Sequence, residues 1–385
     1  MAWVTVMAPL SRSNAGRRPV GEVNPSRLIL ARKLRGLTKR ELATHAGVSI
    51  RSLDNYESGQ HEPSETNLSQ LAEVLDFPVE FFEGPDIDVP AVEVTSFRAV
   101  TRLPARRVEQ ANASAAMAQL LVRWIDDRFE LPKPEIPRYP GVKPEVAAEA
   151  VRKRWGLGEK PAPNMVHLLE AHGIRVFALI EDCRLVDAFS LWQGDRPYIF
   201  LNTTKSAERS RMDAAHELGH LVLHGGHSAP AGREPELEAQ RFGAAFLMPR
   251  RSLLAMAPRG GDLSRIIRAK HHWNVAVANL AYRMHEVNLL TDWQYRTLFI
   301  QISSAGYRTS EPEGSRGETS QLLGKVFESL RADGVTKAHV ANELRINIDD
   351  LNKLTFGLVL TPVEGNGHTG QHAGQRDRPT LTIMS

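Results

Sequence analysis

His216-Glu217-Leu218-Gly219-His220 sets two imidazoles four residues apart with a carboxylate beside the first. The surrounding run, Arg211 to His224, reads as one helix. It lacks proline, and Met212, Ala215, Leu218, Leu221 and Val222 recur at helical spacing. Residues four apart share a helix face, so His216 and His220 can point at one ion. Two imidazoles held this way suit zinc, and Glu217 is placed to take a proton from a metal-bound water. The helix is apolar on more than one side and is expected to be buried. Buried histidines and a buried glutamate are costly unless they have partners. A chance match on a surface helix would carry no such requirement.

A third ligand must come from another element. The next helical run begins at Glu236 and ends at Pro249. Glu236 and Glu238 are both candidates, and both also suit a solvated helix start, where acids favour the dipole. The face through Glu236 continues as Ala239, Gln240 and Gly243. It is small, so a neighbouring helix can come close. The face through Glu238 carries Arg241, Phe242 and Ala245, which suits packing or solvent better. Glu236 is therefore the favoured ligand, and Gln240 one turn on could hydrogen-bond a ligand. His224, eight residues from His216, drifts off the ligand face. It reads as a buried structural histidine, with substrate polarisation as the alternative.

The run Arg211-Met212-Asp213-Ala214-Ala215-His216-Glu217-Leu218-Gly219-His220-Leu221-Val222-Leu223-His224 is followed by Glu236-x-x-Ala239-x-x-Phe242-Gly243-x-x-Phe246-Leu247-Met248-Pro249. Together they resemble the ImmA/IrrE family of zinc metallopeptidases, over roughly residues 94–290. The resemblance implies a thermolysin-like zinc site of two histidines and one glutamate. It also implies an amino-terminal helix-turn-helix and a role in stress or mobile-element regulation. Gly243 stands where alanine is usual in that family, and Gln240 where asparagine or aspartate is common.

The amino-terminal part carries a second chemistry. Residues 25–84 read as a bundle of short helices. Leu28, Ala31 and Leu34 form the first apolar stripe, which Gly36 stops. Thr38 with Glu41 makes a capping box for the second helix. Gly47-Val48-Ser49 is a tight turn, and Ser49 caps a third helix expected to bury Ile50, Leu53 and Tyr56. Thr66 to Leu75 and Val79 to Phe82 are two further helices. Helix, glycine turn and helix is a DNA-reading arrangement. The string Leu37-Thr38-Lys39-Arg40-Glu41-Leu42-Ala43-x-x-Ala46-Gly47-Val48-Ser49, continuing to Leu53, Tyr56-Glu57, Gly59 and Pro63, resembles the lambda-repressor-like (Cro/C1-type, XRE) helix-turn-helix. Arg51, Ser52 and Asn55 are the candidates for base edges, and Lys39 and Arg40 for phosphate or base; Thr38 and Ser49 are further DNA-contact candidates. A helical bundle used for protein contacts is the competing reading.

Composition sets the remaining bounds. The chain has 385 residues, 42% hydrophobic and 24% charged, with a net charge of +3. That charge alone does not indicate nucleic acid. Locally, residues 24–59 hold seven Lys/Arg (27, 32, 33, 35, 39, 40, 51) against three acids (41, 54, 57), the kind of bias that phosphate contact needs. One cysteine, Cys183, excludes an internal disulfide and a multi-cysteine zinc site. No apolar run approaches the roughly 18 residues of a membrane span. The apolar start precedes its basic residues, the wrong order for a signal peptide. A cytoplasmic protein is expected.

The rest of the chain supplies elements that could position these groups. Residues 104–129, 145–155 and 164–171 read as helices, with Trp124 as core and Gly173 closing the third. Residues 174–179, 186–192 and 198–201 are short strands, with a turn at Gly194-Asp195. Pro197 marks the last as an edge strand, and in zinc peptidases of this type an edge strand can pair with an extended substrate. Two more helices follow within residues 263–286. They could form a second helix-turn-helix, but read as peptidase packing because their exposed face is not clearly basic. The expected fold is α+β and mostly helical, an all-α helix-turn-helix domain followed by a zincin-like peptidase domain with a small β-sheet. The expected division is a disordered extension (1–23), helix-turn-helix domain (24–84), linker (85–103), peptidase domain (104–300), helical region (301–362) and disordered tail (363–385). The expected function is a DNA-binding regulator with a zinc-dependent endopeptidase domain. It would act as a homodimer on operator DNA and on a protein or peptide substrate, away from membranes. The alternative is a transcription factor whose metallopeptidase-like domain is a non-catalytic metal or ligand sensor.

Overall fold

Asn24 opens the first helix by accepting the Ser26 amide at 2.9 Å, and Pro25 stands at N1, where its missing N–H costs nothing. This computed structural model describes residues 5–6, 22–87, 89, 95–97, 104–179, 186–225, 232–355 and 357–359. Helix α1 (Pro25–Leu34) leads to α2 (Lys39–His45), α3 (Ile50–Glu57) and α4 (Glu65–Leu75), and a 3-10 turn follows at Val79–Phe81. The Thr38–Glu41 capping box forms, and Ser49 caps α3 by accepting the Ser52 amide. Gly47 turns the chain between α2 and α3 at φ +66°, a conformation costly for other residues. Arg32 and Glu57, both buried, pair through two hydrogen bonds of 2.5 and 3.0 Å and lock α1 to α3. Leu53 and Tyr56 are buried as expected, but Ile50 is 48% exposed. It is the first residue of α3, where side chains tilt back toward the helix start.

Two sheets form. A two-stranded ribbon pairs β1 (Thr5–Val6) antiparallel with β3 (Phe129–Glu130). The main sheet has the order β2-β5-β6-β4. Its strands are β2 (Thr95–Phe97), β4 (Arg175–Ala178), β5 (Ala188–Gln193) and β6 (Arg196–Leu201). β5 and β6 make an antiparallel hairpin, β4 lies parallel to β6, and β2 pairs antiparallel with β5. The edge position read from Pro197 is therefore wrong, because β6 is interior. Proline is tolerated because β4 begins its pairing one residue later, at Tyr198, so Pro197 has a strand partner on one side only.

The sheet divides two apolar cores by simple alternation. Phe177, Phe189, Leu191, Tyr198 and Phe200 face one side, and Val176, Ala178, Ala188, Ile199 and Leu201 the other. On the first side lie α1–α4, α5 (Ala105–Asp126), and the carboxy-terminal helices α14 (Gln321–Ala332), α15 (Lys337–Leu344) and α16 (Ile348–Thr355). On the second lie α6 (Pro144–Arg154), α7 (Met165–Ala171), α8 (Ala207–Leu223), α9 (Arg233–Leu247), α10 (Arg250–Met256), α11 (Leu263–Trp273), α12 (Val277–Glu286) and α13 (Asp292–Ser304). Trp124 is core, and its indole also donates to Glu343 at 2.6 Å. Helix α8 starts earlier than its apolar pattern suggested. Glu208 and Arg209 lie in its first turn, where buried Glu208 receives the Ser315 amide and lies 3.4 Å from buried Lys270. The fold is α+β and mostly helical, with the helix-turn-helix first and the sheet-bearing domain after it. Cys183, His227 and residues 360–385 lie outside the described residues.

Candidate metal centre and nucleic-acid interface

α8 and α9 approach more closely than side chains normally allow. A Cβ at Gly219 would sit 3.1 Å from the Ala239 backbone and the Phe242 ring. One at Gly243 would sit 3.0 Å from the His216 amide nitrogen. Two glycines and Ala239 thus bring the backbones together where a shared ion needs them. The small face inferred around Glu236 is what makes this contact.

His216 and His220 are buried, and their Nε2 atoms lie 3.0 Å apart. Glu236 reaches both, with Oε2 3.4 Å from His216 Nε2 and Oε1 3.4 Å from His220 Nε2. Ligand atoms about 2.0–2.1 Å from a tetrahedral zinc lie about 3.3 Å from one another. The three donors therefore already stand at the edge lengths of such a site. Among the described residues this is the one group of three His, Cys, Asp or Glu side chains close enough to share an ion. Burial works against the Glu236 carboxylate, but hydrogen bonding and charge from the two histidines, in their protonated forms, outweigh it and hold it at about 2.

Around this cluster the remaining polar groups form a directed chain. Glu238 accepts from His224 Nε2 at 2.8 Å, and His224 Nδ1 lies 3.1 Å from His220 Nδ1. A carboxylate can only accept, so His224 carries its proton on Nε2. Its Nδ1 then accepts from His220 Nδ1–H, which leaves the His220 Nε2 lone pair facing the cluster. Burial keeps His224 below the ordinary imidazole value, in the neutral form this chain requires. Glu238 is therefore partly exposed but not merely solvated. It orients His224, and His224 orients His220. Gln240 lines a cavity of about 500 Å³ with Met212 and Asp213. Glu217 is fully buried, and Ser190 of β5 donates to its Oε2 at 2.7 Å.

On the amino-terminal domain, Thr38, Lys39, Arg40, Ser49 and Arg51 are exposed, and Ser52 and Asn55 are half-buried on the same helix pair. Ser49 and Ser52 hydroxyls lie 2.8 Å apart. Lys39 contacts Asp54 at 2.6 Å and Glu57 at 3.5 Å, and the Asp54 hydrogen bond raises its ammonium above the ordinary value. The basic count of this region shrinks in three dimensions. Arg27 donates to the Pro85 and Phe81 carbonyls, Arg32 to Glu57, Arg35 to Asp350, and Lys33 pairs with Glu109. Lys39, Arg40 and Arg51 remain on the α2–α3 face.

Residues 169–285 match the IrrE N-terminal-like domain of peptidase family M78, and residues 28–82 match the helix-turn-helix family. Both resemblances hold. No match is found among curated proteins. The IrrE-like match contains α8, α9 and β4–β6, and so every candidate ligand together with Glu217. The helix-turn-helix match contains all seven candidate DNA contacts. Within the IrrE-like domain, sequence reasoning missed Ser190 and the His224–Glu238 pair as supports. A small polar residue between Phe189 and Leu191 in a buried strand was the available signal for Ser190. Ile50, expected to be buried, is instead exposed at the start of α3 beside Arg51.

Proposed function

We propose that the protein is a DNA-binding regulator carrying a zinc-dependent endopeptidase domain. The observation that carries this reading is the triangle of His216, His220 and Glu236 with a buried carboxylate, Glu217, beside it. A zinc ion held by those three residues would act as a Lewis acid toward a peptide carbonyl and acidify a water. Glu217 takes the proton of the attacking water and passes it to the leaving amine. Ser190 fixes one oxygen of that carboxylate, and His224 fixes the ring plane and tautomer of His220. A site that only binds metal for structure has no use for such a base. The helix-turn-helix face reads paired half-sites as a homodimer on an inverted repeat, because one short recognition helix reads few base pairs. The substrate is a protein or peptide, expected in a stress or mobile-element response, in the cytoplasm.

Metal content and hydrolysis test the reading together. One zinc per chain is expected by atomic emission. His216→Ala or His220→Ala abolishes it, and Glu236→Ala weakens it far more than Glu238→Ala. Glu217→Gln keeps zinc and loses cleavage of a co-expressed candidate substrate. Equal zinc loss in Glu217→Gln would remove Glu217 as the base. Zinc at one equivalent with no hydrolysis by the parent would leave the sensor reading.

A further inference from the structure

We infer that the substrate-pairing edge of the peptidase domain is the outer edge of β5, and that Thr95–Phe97 of the same chain occupy it as a built-in competitor. The inference rests on the peptidase reading above. β5 is the strand whose Ser190 touches Glu217. One edge of β5 is paired with β6, so an extended peptide can join the sheet next to Glu217 only along the other edge. β4, the far edge strand, is separated from β5 by β6. The outer edge of β5 carries β2, antiparallel, with Thr95 opposite Leu191, Ser96 opposite Ser190 and Phe97 opposite Phe189. The backbone of Ser96 is therefore one strand spacing, about 5 Å, from the residue that holds the general base.

Such a short pairing suits release. Three residues supply few ladder hydrogen bonds, and a longer substrate strand can outcompete them. The segment is tethered at both ends to the helix-turn-helix domain. Ile87 is buried in that domain's core, and α5 beyond it is held to α1 by the Gln110–Leu34 hydrogen bond at 3.0 Å and the Lys33–Glu109 pair at 3.0 Å. Thr95–Phe97, within the connection between DNA reader and peptidase, thus lie where an extended substrate would pair.

The test uses the full zinc-loaded chain and the double variant Thr95→Pro/Ser96→Pro. Alternate amides of a strand face the same neighbour, so one of the two prolines must remove a donor to β5. The probe is a fluorescein-labelled peptide of residues 91–101. Binding by anisotropy is expected at least tenfold tighter to the variant than to the parent, and β5 amides exchange faster in the variant until the peptide is added. Hydrolysis of a denatured protein substrate should rise by a similar factor. Equal peptide binding by parent and variant, or unchanged β5 exchange, would overturn the inference. If neither protein hydrolyses anything, the peptidase reading falls, while peptide binding and exchange still decide the occupancy of β5. Should the proline variant lose zinc or helicity, Thr95→Gly/Phe97→Gly weakens the same pairing without proline and is read by the same criteria.

Discussion

A neutral imidazole can present its lone pair to an ion through only one nitrogen, and His220 is told which one by His224. The chain from Glu238 through His224 to His220 leaves Nε2 facing His216 and Glu236. Removing His224 frees the His220 ring to rotate and to change tautomer. His224→Ala is therefore expected to weaken zinc binding about 10- to 100-fold while leaving one equivalent at saturation. Glu238→Gln should act in the same direction and more weakly, since a carboxamide can still accept from His224. Competition with a chromogenic chelator measures both. Zinc affinity unchanged in His224→Ala would show that His220 is oriented by α8 alone.

Helix α3 presents Ile50 and Arg51 outward from a domain clamped by the Arg32–Glu57 pair. Arg51→Ala should cost about 1–3 kcal/mol on the specific site and relax base preference there. Lys39→Ala, at the start of α2, should weaken specific and non-specific binding alike and flatten the salt dependence. Its effect should be smaller than that of Arg40→Ala, because Lys39 is already partnered by Asp54. Footprinting and salt titration separate the cases. A change in salt slope alone for Arg51→Ala would mean that α3 is not the reading helix. A different element-level device joins α7 to α14. Glu170 is buried at the end of α7 and accepts the Gln321 and Leu322 amides at 3.0 and 2.9 Å, with Ser320 against its other oxygen. Burial raises this carboxyl from 4.5 to about 7 against those hydrogen bonds. The folded state therefore holds the proton more tightly than the unfolded chain does. The stability this contributes is complete below about pH 4.5 and is lost as pH rises through about 7. The unfolding free energy from urea titration should fall over that window by an amount on the order of 3 kcal/mol. Glu170→Gln, which stays neutral, should flatten the decline. An identical slope in the variant would assign the pH dependence elsewhere.

Across the whole molecule, the carboxy-terminal helices are docked on the DNA-reading domain by a few charged contacts. Arg35 at the end of α1 holds buried Asp350 of α16 through two hydrogen bonds of 2.7 and 2.8 Å. Asn347 donates to the Asp76 carbonyl and carboxylate, and Arg345 to the Glu80 carbonyl. Truncating Arg35 leaves buried Asp350 with, among the described residues, the Lys353 ammonium 3.8 Å away. Arg35→Ala should therefore destabilise the protein by about 2–4 kcal/mol in urea unfolding, and Arg35→Ala/Asp350→Leu should recover much of that loss. A loss below about 0.5 kcal/mol for Arg35→Ala would place this contact among surface ion pairs.

What could be read without coordinates was local. The Thr38–Glu41 box, the Ser49 cap, the four-residue spacing of His216 and His220 and the small face from Glu236 to Gly243 all depend on residues within a turn or two of each other. Chain geometry then dictates their placement. Even the two-sided alternation of β4, β5 and β6 is written in Val176-Phe177-Ala178 and Tyr198-Ile199-Phe200-Leu201. What only the tertiary structure decided was which elements meet. Pro197 read as an edge marker because proline lacks a donor, yet β6 is interior since its partner on that side starts one residue later. Arg27, Arg32, Lys33 and Arg35 counted toward the basic bias of residues 24–59 but are spent on carbonyls and carboxylates up to 315 residues away. Ser190 meets Glu217, His224 meets Glu238, and β2 meets β5 through contacts between separate elements. Such pairings follow from the path of the whole chain and the burial of both partners. No periodicity in either segment encodes them.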